Sequence, residues 1–253
     1  MERYICIHGH FYQPPRENPW LETIESQDSA YPYPDWNERV TAECYEPNAA
    51  SRILDGEGLI VKIVNNYEKI SFNFGPTLLA WMEDKAPKVY EAVIAADHAS
   101  QKRFSGHGSA LAQAYNHIIQ PLANRRDKET QILWGIVDFE TRFGRRPEGM
   151  WLPEAAVDLE SLDIMAEHGI RFTVLSPYQA SRTRRHGALW RNVSGGGIDP
   201  SRPYLQPLPS GREINLFFYD GPISRGVAFE KLLSQGERFA HRLVGAFSDD
   251  RTW

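Results

Sequence analysis

The chain has 253 residues, 42% of them hydrophobic and 24% charged, with a formal net charge of −5. That is ordinary globular content, long enough to bury a sizeable core, and the acidic balance gives no electrostatic case for nucleic acid. The basic cluster Arg182-Thr183-Arg184-Arg185 is short and interrupted and reads as a solvated loop. Cys6 and Cys44 are the two cysteines, too few for a disulfide framework and without metal-ligand spacing, which fits a reducing cytoplasm. The N-terminus reaches polar residues too soon for a signal peptide. No run approaches the roughly 18 apolar residues of a membrane span.

In chain order, residues 4–8 read as a first strand and residues 70–74 as a second, with Ile70, Phe72 and Phe74 alternating. Between them lies a polar, aromatic-rich excursion over about residues 13–46. Its length points to function or disorder, and Trp20, Tyr31, Tyr33 and Trp36 argue against disorder. Helical patterns follow at residues 77–84, 87–103 and 127–143, the last stopped by Gly144. A short apolar run bounded by Pro147, Gly149 and Pro153 predicts a parallel strand ending at Glu154, followed by a helix to Glu167. Residues 172–175, 187–193 and 214–220 read as further strands, and residues 228–247 as an amphipathic helix. This alternation predicts an α/β fold with a parallel sheet. An alternating barrel would return to a strand after that helix, so the sequence through Trp253 is expected to stop partway round its fold.

Glu154 stands beside Trp151 at the C-terminal end of its strand, the rim where alternating barrels carry their active sites. A carboxylate there suits a sugar-cleaving nucleophile; a helix-capping acid is the plainer alternative, since a helix follows. His8 and His10 fall on the same side of the first strand and can share a pocket. For His8 a hydrogen-bonded core histidine is the preferred reading. No HExxH motif or adjacent Asp/His cluster supports a metal, and no cofactor is expected.

Three motifs carry a resemblance. His8-Gly9-His10-Phe11-Tyr12-Gln13-Pro14 is the first. Gly106-His107-Gly108-Ser109-Ala110, with Tyr115-Asn116-His117-Ile118-Ile119-Gln120-Pro121-Leu122, is the second. The third combines Gly144, Pro147, Gly149 and Trp151-Leu152-Pro153-Glu154 with His168-Gly169-Ile170-Arg171-Phe172. Together they resemble glycoside hydrolase family 57, retaining enzymes active on α-glucans. The resemblance implies an incomplete (β/α)7 barrel, truncated before its last strands, as one catalytic region over residues 1–253. It also implies Glu154 as catalytic nucleophile and His10 as a sugar-contacting residue, with Trp151, His107 and Asp220 as further substrate-binding candidates. The family's general acid has no matching motif here. Asp220-Gly221-Pro222 is the nearest approach, and the acid is expected beyond Trp253. An oligo- or polysaccharide is the implied partner. A non-catalytic glucan-binding module and a metal-dependent polysaccharide deacetylase stay open as alternatives.

Overall fold

The computed structural model describes residues 3–247. Seven strands form its framework: β1 (His8–Phe11), β2 (Ser71–Phe74), β3 (Ala112–Gln113), β4 (Met150–Trp151), β5 (Phe172–Leu175), β6 (Tyr204–Pro207) and β7 (Glu213–Phe218). β1 pairs in parallel with β2, β3 with β4, and β5 with β7, while β6 runs antiparallel to β7. Parallel bridges from Phe72 to Ala110 and from Gly149 to Phe172 link these pairs. Spatial order therefore follows chain order from β1 to β5. A chain that always steps the same way across a parallel sheet places every strand's C-terminal end on one rim.

The crossovers are helical. α1 (Pro76–Lys85) and α2 (Pro87–Arg103) lie between β2 and β3, α3 (Arg125–Phe143) between β3 and β4, and α4 (Leu159–Glu167) between β4 and β5. Local chemistry sets their ends. Asn124 caps α3 by accepting from the Asp127 amide, and Gly144 closes it at φ 66°. Within α3, a Cβ on Gly135 would lie 2.0 Å from the Gln113 carbonyl oxygen, so only glycine lets this helix rest directly on β3. The sheet and helices bury a common core that includes Phe72, Leu78, Met82, Ile132, Met150, Leu152 and Met165. Each such side chain contributes about 1.5–3 kcal/mol of transfer free energy.

Several predicted elements are corrected. The first strand covers His8–Phe11 rather than residues 4–8; Tyr4, Ile5 and Ile7 are exposed because the partner strand pairs only from His8 onward. The excursion after β1 is largely structured: a hairpin pairs Glu17–Asn18 with Thr23–Ile24, and helical turns run from Trp36–Val40 through Thr41–Tyr45 to Glu46–Ala49. An unpredicted hairpin joins Ser51–Leu54 to Ile60–Val64. Of the strand predicted at residues 187–193, only Arg191–Asn192 pairs, with Arg182–Thr183. The closing helix divides into α5 (Gly221–Phe229) and α6 (Gly236–Val244), because Lys231 takes a left-handed conformation at φ 53°. The expected abrupt end at Ser248 to Trp253, like Met1 and Glu2 of the N-terminus, falls outside the described residues.

Candidate active site

β4 delivers the central residues. Met150 and Leu152 point into the core, which turns Trp151 to the opposite face. Pro153 ends the pairing, and the following turn holds Glu154 at φ 55°, ψ 18° and Ala155 at φ 51°. Left-handed backbone costs a non-glycine residue roughly 1–2 kcal/mol. Hydrogen bonds from the Ala155 amide to the Leu152 carbonyl (2.8 Å) and from the Gln179 side-chain amide to the Ala155 carbonyl hold the turn. The Glu154 side chain is thereby left exposed on the rim. His117, in the loop after β3, is also left-handed at φ 57°, so Glu154, Ala155 and His117 make half of the described non-glycine residues at positive φ. Strain of this kind concentrates at functional sites.

Five aromatic rings gather beside that carboxylate. Trp151 stacks with both His8 (5.3 Å between centroids) and His10 (4.7 Å), each at 19°. His10 faces His117 at 5.5 Å, and His117 stacks on Tyr12 at 3.6 Å. Beneath the rings runs a polar ladder set by strand register, with His10 opposite Asn73 and Gln113 opposite Trp151. The Asn73 side-chain nitrogen donates to Gln113 Oε1 (2.7 Å) and lies 2.9 Å from His10 Nδ1, while its oxygen lies 3.1 Å from His8 Nε2 and 3.2 Å from His10 Nδ1. His8 Nδ1 meets the Ser71 hydroxyl at 3.1 Å.

Burial dominates the electrostatics. It lowers the His8 imidazole to about 4, the bond to Asn73 opposing and the neighbouring His10 assisting. The His117 imidazole is likewise lowered to about 4, by burial first and then by His10. His10 is lowered by burial, against the bond to Asn73 and the Glu154 carboxylate; its ring is packed although one edge reaches solvent. Burial and then Glu154 oppose ionisation of Tyr12, with Arg16 counteracting. Near neutral pH the site thus holds uncharged imidazoles around one carboxylate. Trp151 Nε1, Gln113 Nε2 and His117 Nε2 are buried without a hydrogen-bond partner in the protein. An unmatched buried polar group costs about 1–3 kcal/mol, and here three surround the same rim.

Glu154, His10 and Trp151 therefore come together as the sequence implied, and His8 joins them through its ring and its bond to Asn73. His107 does not. It precedes β3 and bonds Glu148, which precedes β4, at 2.7 Å, placing both at the opposite, N-terminal end of the sheet. Glycine-rich surroundings made His107 resemble a site residue, but strand polarity sends it away from Glu154. A surface hollow lined by Arg146, Glu148, Arg171 and Glu213 opens at that same far end and includes none of the rim residues. Asp220 follows β7 and so lies on the correct rim, but its Oδ1 accepts from the Ile223 amide at 2.9 Å as the cap of α5. Trp20 is 90% exposed between the two strands of its hairpin, whereas Trp36 is pinned by Ser29 and by the Arg39 guanidinium over its ring. Tyr12, Asn73, Gln113 and His117 were absent from the expected site. Asn73 and Gln113 did carry a signal: each is a polar side chain interrupting an apolar strand, a placement that requires hydrogen-bond partners.

The profile of Glycosyl hydrolase family 57 matches residues 38–250. The chain belongs to this family. The matched interval contains Asn73, Gln113, His117, Trp151, Glu154 and Asp220 but begins after β1, which carries His8 and His10. Over 106 residues the chain is 28% identical to alpha-amylase 1 of Dictyoglomus thermophilum, covering 42% of this chain and 15% of that protein. In structure it is similar to an exo-type maltose-forming amylase from a Pyrococcus species (TM-score 0.62, 16% identity, 98% of this chain and 39% of that one). It is also similar to 4-alpha-glucanotransferase from Thermococcus litoralis (0.58, 17%, 90% and 30%). A branching enzyme from Thermococcus kodakaraensis gives 0.58 at 17%, covering 91% and 50%. This chain thus spans half or less of the length of these relatives. Among the described residues no three His, Cys, Asp or Glu side chains converge to hold a metal ion, and no helix is long and apolar enough to cross a membrane.

Proposed function

We propose that this chain carries the nucleophile side of a retaining glycoside hydrolase or transglycosylase acting on α-glucans, built on an incomplete (β/α)7 barrel. The observation that carries the reading is Glu154: an exposed carboxylate beyond the C-terminal end of a parallel strand, held in a left-handed turn among neutral imidazoles. In this mechanism Glu154 attacks the anomeric carbon as its bond to the leaving oxygen breaks, and a second carboxyl about 5–5.5 Å away protonates that oxygen. Water or a second sugar then releases the glycosyl group. Trp151 supplies an apolar ring face for the sugar, and His10 and His117 hydrogen-bond its hydroxyls. The unpaired Cys6 and Cys44 fit a reducing cytoplasm.

Treatment with a mechanism-based glucosyl inactivator, followed by peptide mass spectrometry, tests the assignment: the adduct is expected on Glu154, and an adduct elsewhere removes it. Asp220→Asn tests the rim's other carboxylate. A proton donor's loss lowers turnover about 10²–10⁴-fold, whereas loss of a helix cap costs about 1 kcal/mol of stability and little turnover. The engagement of Asp220 as a cap favours a second reading, a glucan-binding module without chemistry; it predicts calorimetric binding of maltooligosaccharides with no turnover.

A further inference from the structure

We propose that Asn73 is a positioning residue for this reaction, holding His10 in the tautomer that presents Nε2–H to the substrate. The inference rests on the reading of the Glu154 rim as a glycosidase site. Asn73 is wholly buried and bonds directly to His8, His10 and Gln113. Its carboxamide has one acceptor end and one donor end, and the contacts use each end differently.

The bond directions follow from one starting point and one comparison of distances. Gln113 Oε1 has only acceptor capacity, so the Asn73 group 2.7 Å away is the donating nitrogen. His10 Nδ1 lies 2.9 Å from that nitrogen and 3.2 Å from the Asn73 oxygen; the shorter contact takes the second amide hydrogen, which makes Nδ1 the bare nitrogen of a neutral ring. Asn73 Oδ1, left as acceptor, takes the Nε2–H of His8 at 3.1 Å, and His8 Nδ1 is free to accept from the Ser71 hydroxyl at 3.1 Å. The relay Ser71, His8, Asn73, His10 thus runs one way. It ends on His10 Nε2–H, which has no partner on Asn73 and belongs to the ring stacked on Trp151 and facing His117. The ionisable groups facing His10 are His8 on the same strand, Tyr12 just beyond it, His117 after β3 and Glu154 after β4. A neutral donor at this point can strengthen its bond to a sugar hydroxyl as charge develops at the anomeric carbon, without placing a second cation beside the oxocarbenium-like centre.

This role assigns His8 an indirect part as well, since it fixes which end of Asn73 faces His10. It also explains a polar side chain between two core phenylalanines, Phe72 and Phe74, where an apolar residue would be simpler to bury.

Nitrogen-15 NMR of the imidazoles in the unmodified protein at pH 7 reads the tautomers without reference to activity. Protonated Nε2 and bare Nδ1 are expected on both His8 and His10; a proton on His10 Nδ1 overturns the proposal. The Asn73→Asp variant supplies the kinetic arm. A carboxylate only accepts, so His10 must turn its proton to Nδ1 and present a bare Nε2. We expect kcat/KM to fall about 100-fold at pH 8 and to recover at least tenfold by pH 5, where a protonated ring again carries Nε2–H. An Asn73→Ala control should lose activity by the same factor at both pH values. If Asn73→Asp shows the same flat loss as Asn73→Ala, the residue is merely structural. Failure of the underlying site reading has a different signature: Glu154→Gln would retain turnover, whatever tautomer the spectrum shows.

Discussion

Two ends of one sheet place histidine beside carboxylate, and they do opposite things with it. At the N-terminal end, His107 bonds Glu148, which also takes Arg171 Nη1 at 3.2 Å. Nearby, Asp97 is fully buried and accepts two hydrogen bonds from Arg145 (2.9 and 2.8 Å) and one from the Ala110 amide. Glu148 and Asp97 each meet a guanidinium there. At the C-terminal rim the Glu154 carboxylate faces uncharged rings, three buried nitrogens lack partners, and the backbone is left-handed at Glu154, Ala155 and His117. A saturated cluster has nothing left with which to bind a ligand. An unsaturated one has its interaction capacity still unspent, which is the physical difference between a clasp and a site.

The largest expected break in this comparison is Glu154→Gln. The amide is nearly isosteric and exposed, so the unfolding midpoint should stay within about 0.5 kcal/mol while kcat falls by at least about 10³-fold. A variant that keeps a tenth of kcat, a barrier change under about 1.4 kcal/mol, is incompatible with a nucleophile. At the other end, Asp97→Ala strands the Arg145 guanidinium and should cost about 3 kcal/mol of stability by urea unfolding. Activity per folded molecule should not change; a selective loss of kcat would show that the two ends are coupled.

Protonation sharpens the contrast. His8 and His117 stand at about 4 in the folded protein against an ordinary value of 6.5, because burial disfavours the imidazolium. As pH falls below 6.5 the unfolded chain takes up protons that the folded chain refuses. Their contribution is therefore complete above 6.5 and is lost progressively down to about 4. Thermal midpoints of the wild type should drop more steeply across that window than those of His117→Gln, and parallel curves would contradict the burial of this ring. The smallest effect belongs to His107→Ala. Its hydrogen bond with Glu148 is partly exposed and is worth under about 1 kcal/mol, and kcat/KM should be unchanged. A tenfold drop in kcat/KM would return His107 to the site and erase the distinction between the ends.

Much of the framework is readable because it rests on local rules. Gly144 after an apolar periodic segment, prolines opening α1 and α2, and alternation in Phe72 and Phe74 act within a few residues of themselves, and each marks an element the structure contains. The first strand was displaced by about four residues because an apolar run does not reveal where its partner begins. The excursion after β1 hides helical turns, since its order depends on bonds such as those from Gln13 to the Tyr45 hydroxyl and from Arg16 to Gln27 that join distant positions.

Sequence by itself determined that this is an α/β chain with family 57 motifs, with Glu154 at the end of a short strand and two histidines alternating on another. Adjacency, period and breakers settle such facts. Which histidine faces Glu154 was decided only by tertiary structure. His107 and His117 stand ten residues apart around one short strand, and the chain's passage through β3 carries them to opposite ends of the sheet. Strand register, a relation between segments far apart in sequence, likewise brought Asn73 and Gln113 beneath the rings. No local pattern encodes that, because the hydrogen bonds that reward it form only after β1 to β4 have assembled.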